Sequence, residues 1–140
     1  MKKALILTLS MFMIVIQSLG QVNQPKYITD ALKVYESGKY FEALPKLEAA
    51  YNKMTNKGKS ISEKGGMAYK VADCYRRMEQ FDKALQWYGS SIELRYYDVE
   101  PKVYYYHGEM LRMNGELAKA KDSYNNYKNK RGKDTSIDID

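Results

Sequence analysis

The sequence predicts an all-α fold in which three helix-turn-helix repeats form a short right-handed α-solenoid. The first observation is an apolar stripe at the helical period through residues 67–92, interrupted by one tight turn. The second is that the same pattern recurs before and after this stretch. The third is that small and aromatic residues alternate along the stripe. That alternation lets two antiparallel helices approach closely while the rings fill the gaps.

The first 20 residues have the layout of a secretory signal peptide. Lys2 and Lys3 form a basic start, residues 4–16 form an uncharged and mostly apolar run, and Ser18-Leu19-Gly20 is a small-x-small cleavage site. The apolar run is shorter than the roughly 18–20 residues of a membrane-spanning helix. We therefore expect cleavage near Gly20, a mature chain with no stable membrane span, and a periplasmic or outer-membrane-associated location.

Charge and composition exclude several classes of protein. The 140-residue chain has a formal net charge of +6. Cleavage after Gly20 removes two lysines and no acids, so the mature chain carries +4 (6 minus 2). The remaining basic residues are spread along the chain, and no basic cluster interleaves with aromatic residues in a recognised nucleic-acid-binding motif, so we expect no nucleic-acid partner. The length predicts one domain at residues 21–130 and a disordered tail at residues 131–140.

The first hairpin follows a short polar entry segment. Helices are predicted at residues 27–36 and about 40–54, separated by Ser37-Gly38-Lys39. Pro45 lies beyond the first turn of the second helix, so we expect a slight kink or a later helix start. A loop follows at residues 55–62, because Gly58 and its polar neighbours disfavour a helix.

The central and last hairpins follow that loop. Gly65-Gly66 should weaken the next helix, so regular structure is predicted to begin only near Met67. After the central hairpin, a connector at residues 95–101 carries a proline suited to the first turn of a helix. Helices are then predicted at residues 103–113 and 117–128.

Three aligned turns support a repeat. Ala43, Ala84 and Ala120 occupy the same position after each turn and are 41 and then 36 residues apart. The units span about residues 24–57, 65–98 and 101–134. They resemble the tetratricopeptide repeat, a helix-turn-helix unit of about 34 residues. The central unit is most similar, with Val71-Ala72-x-x-Tyr75 before its turn and Ala84-x-x-x-Tyr88 after it. An unrelated six-helix bundle is the alternative.

A narrower resemblance comes from the signal peptide ending in Leu19-Gly20, the tyrosine-rich helices, and the sequence of residues 87–127. Together they look like the amino-terminal repeat region of Bacteroidetes-type OmpA-family envelope proteins, which include an accessory component of type IX secretion. In that family the repeats precede a β-propeller and an OmpA-like peptidoglycan-binding domain. This chain ends near residue 140, so we expect neither domain here and transfer no peptidoglycan binding to it.

Catalytic chemistry has little support in the sequence. His107, the only histidine, falls at a position that predicts packing against the core. Cys74, the only cysteine, lies inside a helix and is predicted to be a buried apolar residue. No cluster has metal-ligand spacing and no glycine-rich phosphate loop follows a strand. We therefore predict no enzyme, no metal and no cofactor.

Binding is better supported, because the first helices of tetratricopeptide repeats line a concave groove. The resemblance implies that this groove mixes aromatic rings with both signs of charge, which suits an extended peptide or a protein partner. Ordinary exposed residues on a structural spacer are the alternative. The predicted partner-binding residues are Tyr35, Tyr69, Asp73, Arg76, Arg77, Lys102, Tyr105, Glu109 and Arg112, with Ile28 and Leu32 at the first-repeat positions.

The last helix predicts a second interface. Solenoids usually end with a polar capping helix, and little sequence remains for one after Tyr127. We therefore expect Leu117, Tyr124 and Tyr127 to be partly bare, which would allow a homo-oligomer to form through the C-terminal repeat.

Overall fold

The computed structural model describes residues 24–58, 60–133 and 136–137. Within these residues the protein is all-helical and contains no strand, which confirms the predicted fold class. The predicted signal peptide and part of the predicted tail lie outside the described residues. The helices are α1 (Lys26–Glu36), α2 (Tyr40–Lys53), α3 (Ser60–Arg77), α4 (Phe81–Glu93), α5 (Lys102–Met113) and α6 (Leu117–Lys130), with a 3-10 helix at Tyr96–Asp98 between α4 and α5.

The helices are arranged as three successive hairpins, α1 with α2, α3 with α4, and α5 with α6. Each helix packs mainly against the helix before it and the helix after it in the chain. This nearest-neighbour packing fits a short α-solenoid, in which each unit covers the apolar face of the next. None of the described helices has the length and apolar character needed to cross a membrane.

The core follows the repeat pattern in the sequence. Ala43, Ala84 and Ala120 are all buried, as are the small residues that face them across each hairpin. Because these side chains are small, paired helices approach closely and larger residues such as Leu47 and Tyr88 fill the remaining space. Cys74 is fully buried in the same core, as predicted, and burial raises the pKa of its thiol to about 12.

The three hairpin turns share one backbone geometry. Gly38 and Gly115 both adopt φ of +78° at the end of the first helix of their hairpins, and Glu79 adopts φ of +60° at the matching place. In the central turn the Gln80 N–H donates to the Tyr75 carbonyl at 2.9 Å, the bonding pattern of a Schellman cap. The left-handed backbone is easy for glycine and strained for glutamate.

The start of α3 differs from the prediction. The helix begins at Ser60 and runs through Gly65 and Gly66, so the predicted start near Met67 is wrong. A Cβ atom on Gly65 would lie 2.9 Å from the Cβ atom of Tyr96, so glycine is needed where the connector crosses the helix. The two glycines therefore serve a close approach and do not break the helix.

The end of the solenoid also differs from the prediction. Tyr127 is fully buried, so the expectation that its ring is partly bare is wrong. It occupies the repeat position that Ala50 and Ser91 fill in the other hairpins, and all three point into their hairpins. Leu117 is exposed, as predicted, with 65% of its surface accessible.

Candidate functional site

The first helices of the three hairpins border an open groove, and α3 lies between its two pockets. Between α1 and α3 there is a pocket of about 240 Å³, which we call the apolar pocket. Aliphatic, sulfur and aromatic side chains dominate its lining, and Lys70 supplies a cation at its edge. Its main lining residues are Ile28, Leu32, Met67, Lys70, Tyr96 and Val99.

A second pocket, of about 310 Å³, lies between the C-terminal end of α3 and the facing side of α5. We call it the arginine pocket, because two adjacent guanidinium groups form one of its walls. Its lining residues include Arg76, Arg77, Glu79, Tyr105, Tyr106 and Met113. The two pockets therefore flank the same helix, one towards each end of it.

Asp73 lies on α3 between Lys70 of the apolar pocket and Arg76 of the arginine pocket. Its side chain is only 5% exposed, and its carboxylate accepts a hydrogen bond from the Tyr35 hydroxyl at 2.8 Å. It also accepts bonds from Arg76 and from the Arg77 Nε, the latter at 2.7 Å. Burial raises the pKa of Asp73, but hydrogen bonds from Arg77, Arg76 and Tyr35 outweigh it, so the pKa lies below its usual value.

Both arginines are held from two sides. The Arg76 guanidinium lies 4.5 Å from the Tyr106 ring centre and its Nε donates to the Tyr88 hydroxyl at 3.2 Å. The Arg77 guanidinium lies 4.4 Å from the Tyr40 ring centre. Stacking and the bond to Asp73 fix each guanidinium plane, while the contacts of Arg76 described here use only two of its five N–H donors. The pair is therefore a preset site for an anionic group.

Tyrosine rings form the floor between α3 and α5. Tyr69 packs against Tyr88, Tyr96 and Tyr106 at centroid distances of 5.7, 5.7 and 6.3 Å. Tyr105 contacts Tyr106 at 5.3 Å and continues the network towards α6. Burial is the largest cause that raises the pKa of Tyr69, so its hydroxyl stays protonated at physiological pH. Such rings give a ligand contact area at little cost in side-chain entropy.

Lys70 is the cation nearest the apolar pocket. Its ammonium lies 5.9 Å from the Tyr35 ring centre, and among the described residues no carboxylate lies within 4.0 Å of it. Burial lowers the pKa of Lys70, against the raising effect of Glu36, Asp73 and Glu100. This ammonium has been partly removed from water without gaining an ion pair in return.

The groove face of α5 carries its own paired charges. Arg112 donates to Glu109 at 3.0 Å, and the Tyr124 hydroxyl donates to the other oxygen of the same carboxylate. Hydrogen bonding from Arg112 is the largest influence that lowers the pKa of Glu109. Lys102 lies at the start of α5, where its backbone N–H donates to the Glu100 carboxylate at 3.1 Å.

The structure brings most of the predicted partner-binding residues to this groove, in different roles. Arg76, Arg77, Tyr105 and Glu109 line the arginine pocket. Tyr35 and Asp73 instead form the support beneath it, and Asp73 is too buried to contact a partner directly. Tyr69 lies within the ring network, whereas Lys102 and Arg112 line neither of the two pockets.

Several groove residues escaped the sequence reasoning. Lys70 and Tyr106 each follow a predicted groove residue by one position. The face of each helix that was predicted to border the groove was therefore slightly too narrow. Val99 and Tyr96 belong to the connector, which the repeat pattern does not describe. A one-residue margin around each predicted position would have found the first two.

Other chemistry is sparse in the described part of the chain. No group of three or more His, Cys, Asp or Glu residues there has the geometry to hold a metal ion. His107 Nδ1 lies 2.8 Å from the Ser123 hydroxyl, between α5 and α6, and burial lowers its pKa. The histidine is therefore a packed, hydrogen-bonded residue, as the sequence predicted.

Comparison of the chain with protein-family models gives no match, and comparison with curated proteins gives none either.

Proposed function

We propose that this protein is an exported protein-protein interaction scaffold of the tetratricopeptide-repeat type, which binds a partner protein or peptide in the groove along α1, α3 and α5. The observation that carries the proposal is the pair of arginines that Asp73 presets between two open pockets. Charged side chains on a spacer would have no need of a buried carboxylate to hold them.

The shape of the groove favours an extended partner. Both pockets are shallow and open to solvent, and they lie towards opposite ends of one helix. A ligand that fills both must therefore be long and narrow, as a peptide segment is. Because the guanidinium groups and rings are already fixed, binding would require little further ordering of the protein.

The proposal extends to the cellular location. The basic start, short apolar run and small-x-small site support export to the cell envelope, either to the periplasm or to a site associated with the outer membrane. The resemblance to Bacteroidetes-type envelope proteins suggests a part in secretion or envelope assembly. Protein recovered from an envelope fraction should begin at Gln21 by N-terminal sequencing.

A self-assembling structural unit is the second candidate. Leu117 is exposed and lies at the start of α6, directly after the last hairpin turn. It is the apolar residue on which a second copy would pack. The burial of Tyr127 makes the apolar surface there smaller than the sequence predicted.

The test compares groove variants with a matched surface control. Mature protein is used to capture a partner from an envelope fraction, and the purified partner is then titrated directly. Val99→Asp with Met113→Asp places a charge in each pocket, while Asn126→Asp with Asn129→Asp adds the same two charges at exposed positions of α6. We expect at least a tenfold loss of affinity for the pocket variant and less than a twofold change for the control.

Two outcomes would contradict the proposal that the partner binds in the groove. Equal affinity for all variants would mean that the partner binds elsewhere. Loss of self-association in Leu117→Asp, with no groove-dependent partner, would favour the structural unit. Val99 and Met113 are 64% and 48% exposed, so thermal unfolding should show that the substitutions leave the fold intact.

A further inference from the structure

We propose that the partner presents an acidic, extended segment with one apolar side chain and two carboxylates three residues apart, the apolar side chain lying in the apolar pocket and the carboxylates at Lys70 and at Arg76 with Arg77. This inference rests on the proposed function of the groove and specifies the chemistry of its partner.

The charge along α3 supports an acidic ligand. Its groove face carries Lys70, Arg76 and Arg77 against the single internal carboxylate of Asp73, an excess of two positive charges (3 minus 1). The other acids of α3 and its turn that line the two pockets are Glu63 and Glu79. They lie before and after the three cations in sequence, and Glu109, the remaining acid of the arginine pocket, is paired with Arg112, so the positive charge on α3 is concentrated between residues 70 and 77.

The spacing of the cations sets the spacing of the acids. Lys70 and Arg77 are seven residues apart on one helix, which corresponds to about 10.5 Å along its axis. An extended chain of the polyproline II type advances about 3.1 Å per residue with three residues per turn, so two carboxylates three residues apart lie on one side of it and span about 9.3 Å. Both cations therefore match one ligand without any bend in either partner.

The apolar pocket fixes the remaining position. Gly66 and Met67 contribute to its lining from α3, roughly one helical turn before Lys70. One turn corresponds to about 5.4 Å, or between one and two residues of an extended chain. The expected pattern is therefore an apolar residue, one residue of any kind, an acid, two residues of any kind, and a second acid. The reverse chain direction reads the same side chains in the opposite order.

Lys70 is the groove residue that most strongly favours a carboxylate on the ligand. Its ammonium is partly buried, and no carboxylate of the described residues lies within 4.0 Å. A ligand carboxylate would supply the missing partner in a site already shielded from water, where ion pairs are stronger than at an open surface. An amide at the same place would leave the ammonium uncompensated.

The experiment uses a synthetic peptide as the probe, with the mature protein. The peptide carries a leucine, an aspartate two residues later and a glutamate three residues after that, within glycine and serine. Both ends are blocked, so all its charge lies on side chains. Binding is measured by fluorescence polarisation at low and high salt. A neutral peptide with asparagine and glutamine, and a peptide with adjacent acids, serve as ligand controls.

We expect saturable, salt-sensitive binding that weakens at least fivefold for either control peptide. Lys70→Gln and Arg77→Gln should each weaken it by a similar factor, whereas Lys121→Gln, which removes the same charge from an exposed position of α6, should change it less than twofold. Glutamine at position 77 retains an amide donor for Asp73, so the fold should survive.

The outcomes separate this inference from the proposed function. The acidic segment is wrong if the neutral peptide binds as tightly as the acidic probe. It is also wrong if the probe does not bind while a purified partner still requires the pockets. In both cases the proposal that the groove binds a partner is not contradicted. If neither the probe nor a partner is affected by Val99→Asp with Met113→Asp, both proposals fail. Binding to phosphatidylglycerol vesicles that Lys70→Gln and Arg77→Gln abolish, without peptide binding, would replace the peptide with a lipid surface.

Discussion

The two pockets of the groove share α3 but have very different second walls. Towards α1 the wall is aliphatic, with Ile28 and Leu32, and the pocket is apolar. Towards α5 the wall carries Tyr105, Tyr106 and Glu109, and the pocket is aromatic and charged. The small buried residues of the repeats are nearly the same in the corresponding helices, so the fold does not account for the difference. The difference comes from the side chains that α1 and α5 turn towards α3, aliphatic on one side and aromatic or charged on the other.

Asp73 holds both arginines of the arginine pocket and the Tyr35 hydroxyl, so its removal should have the largest effect. In Asp73→Ala, Tyr35 loses its acceptor and both arginines lose their internal counterion. We expect a loss of about 3 kcal/mol in the free energy of unfolding, measured by chemical denaturation, since breaking a buried charge pair costs about 3–5 kcal/mol and these arginines remain partly exposed. Asp122→Ala, at an exposed position on α6, should lose less than about 0.5 kcal/mol.

The same carboxylate predicts how stability depends on pH. Because the folded pKa of Asp73 lies below its usual value of 3.8, its contribution is fully present above that pH. It is lost as the pH falls through the folded pKa, since the unfolded chain takes up the proton first. Asp73→Asn should therefore show a smaller loss of stability on acidification than the unchanged protein. An identical acid dependence would contradict the pairing.

Gly65→Ala should disturb the apolar pocket and leave the arginine pocket unchanged, because Gly65 lies against Tyr96. In Gly65→Ala the new Cβ atom would lie 2.9 Å from Tyr96 and 3.2 Å from Leu94, so the connector must shift. We expect a loss of about 1–3 kcal/mol, as for other overpacked sites. Calorimetry or denaturant titration would measure it, and weaker binding of the probe peptide should accompany it because Tyr96 lines the apolar pocket.

Gly89→Ala is the matched control for this substitution. Gly89 is also helical, but a Cβ atom there would have no neighbour within 4 Å. Alanine should then stabilise the protein by about 0.4–1 kcal/mol through the unfolded state. Two glycine-to-alanine changes of opposite sign would establish that the contact with the connector, and not helix propensity, requires Gly65. Stabilisation by both would contradict the close approach.

The repeat pattern was sufficient to predict the helices, their pairing and the buried small residues, because these depend on local periodicity. It was sufficient for Cys74, which lies on the buried stripe of α3. It failed at Gly65-Gly66, because the partner that requires glycine lies about 30 residues later in the chain. The expectation for Tyr127 was wrong although the repeat position already indicated burial, since Ala50 and Ser91 fill the same position in the other hairpins.

The candidate site was predicted in outline only. Family positions selected Arg76 and Arg77, which line the arginine pocket, but treated Asp73 as another exposed contact. Its spacing of three and four residues from Arg76 and Arg77 already indicated pairing along one helix face. The bond from Tyr35 depends on how two hairpins pack and has no local signal. Support beneath a site is therefore harder to predict than the site itself.

Substitutions of Glu79 test the arginine pocket, and they have the smallest expected effects on stability and on binding. This residue lines the pocket and holds φ of +60°, where the other two hairpins have glycine. Glu79→Gly should relieve the strained backbone, and we expect a gain of about 0.5–1 kcal/mol in the free energy of unfolding. It also removes an acid beside the arginines, so the acidic probe peptide should bind more tightly.

A second substitution at the same position separates these two effects. Glu79→Gln removes the charge but keeps a side chain on the left-handed backbone. It should therefore match Glu79→Gly in peptide affinity, by polarisation, and match the unchanged protein in stability, by denaturant titration. If glutamine also stabilised the protein, repulsion from neighbouring acids and not backbone strain would be the cause. The apolar pocket lies towards the other end of α3, so neither substitution should alter how Val99→Asp affects binding.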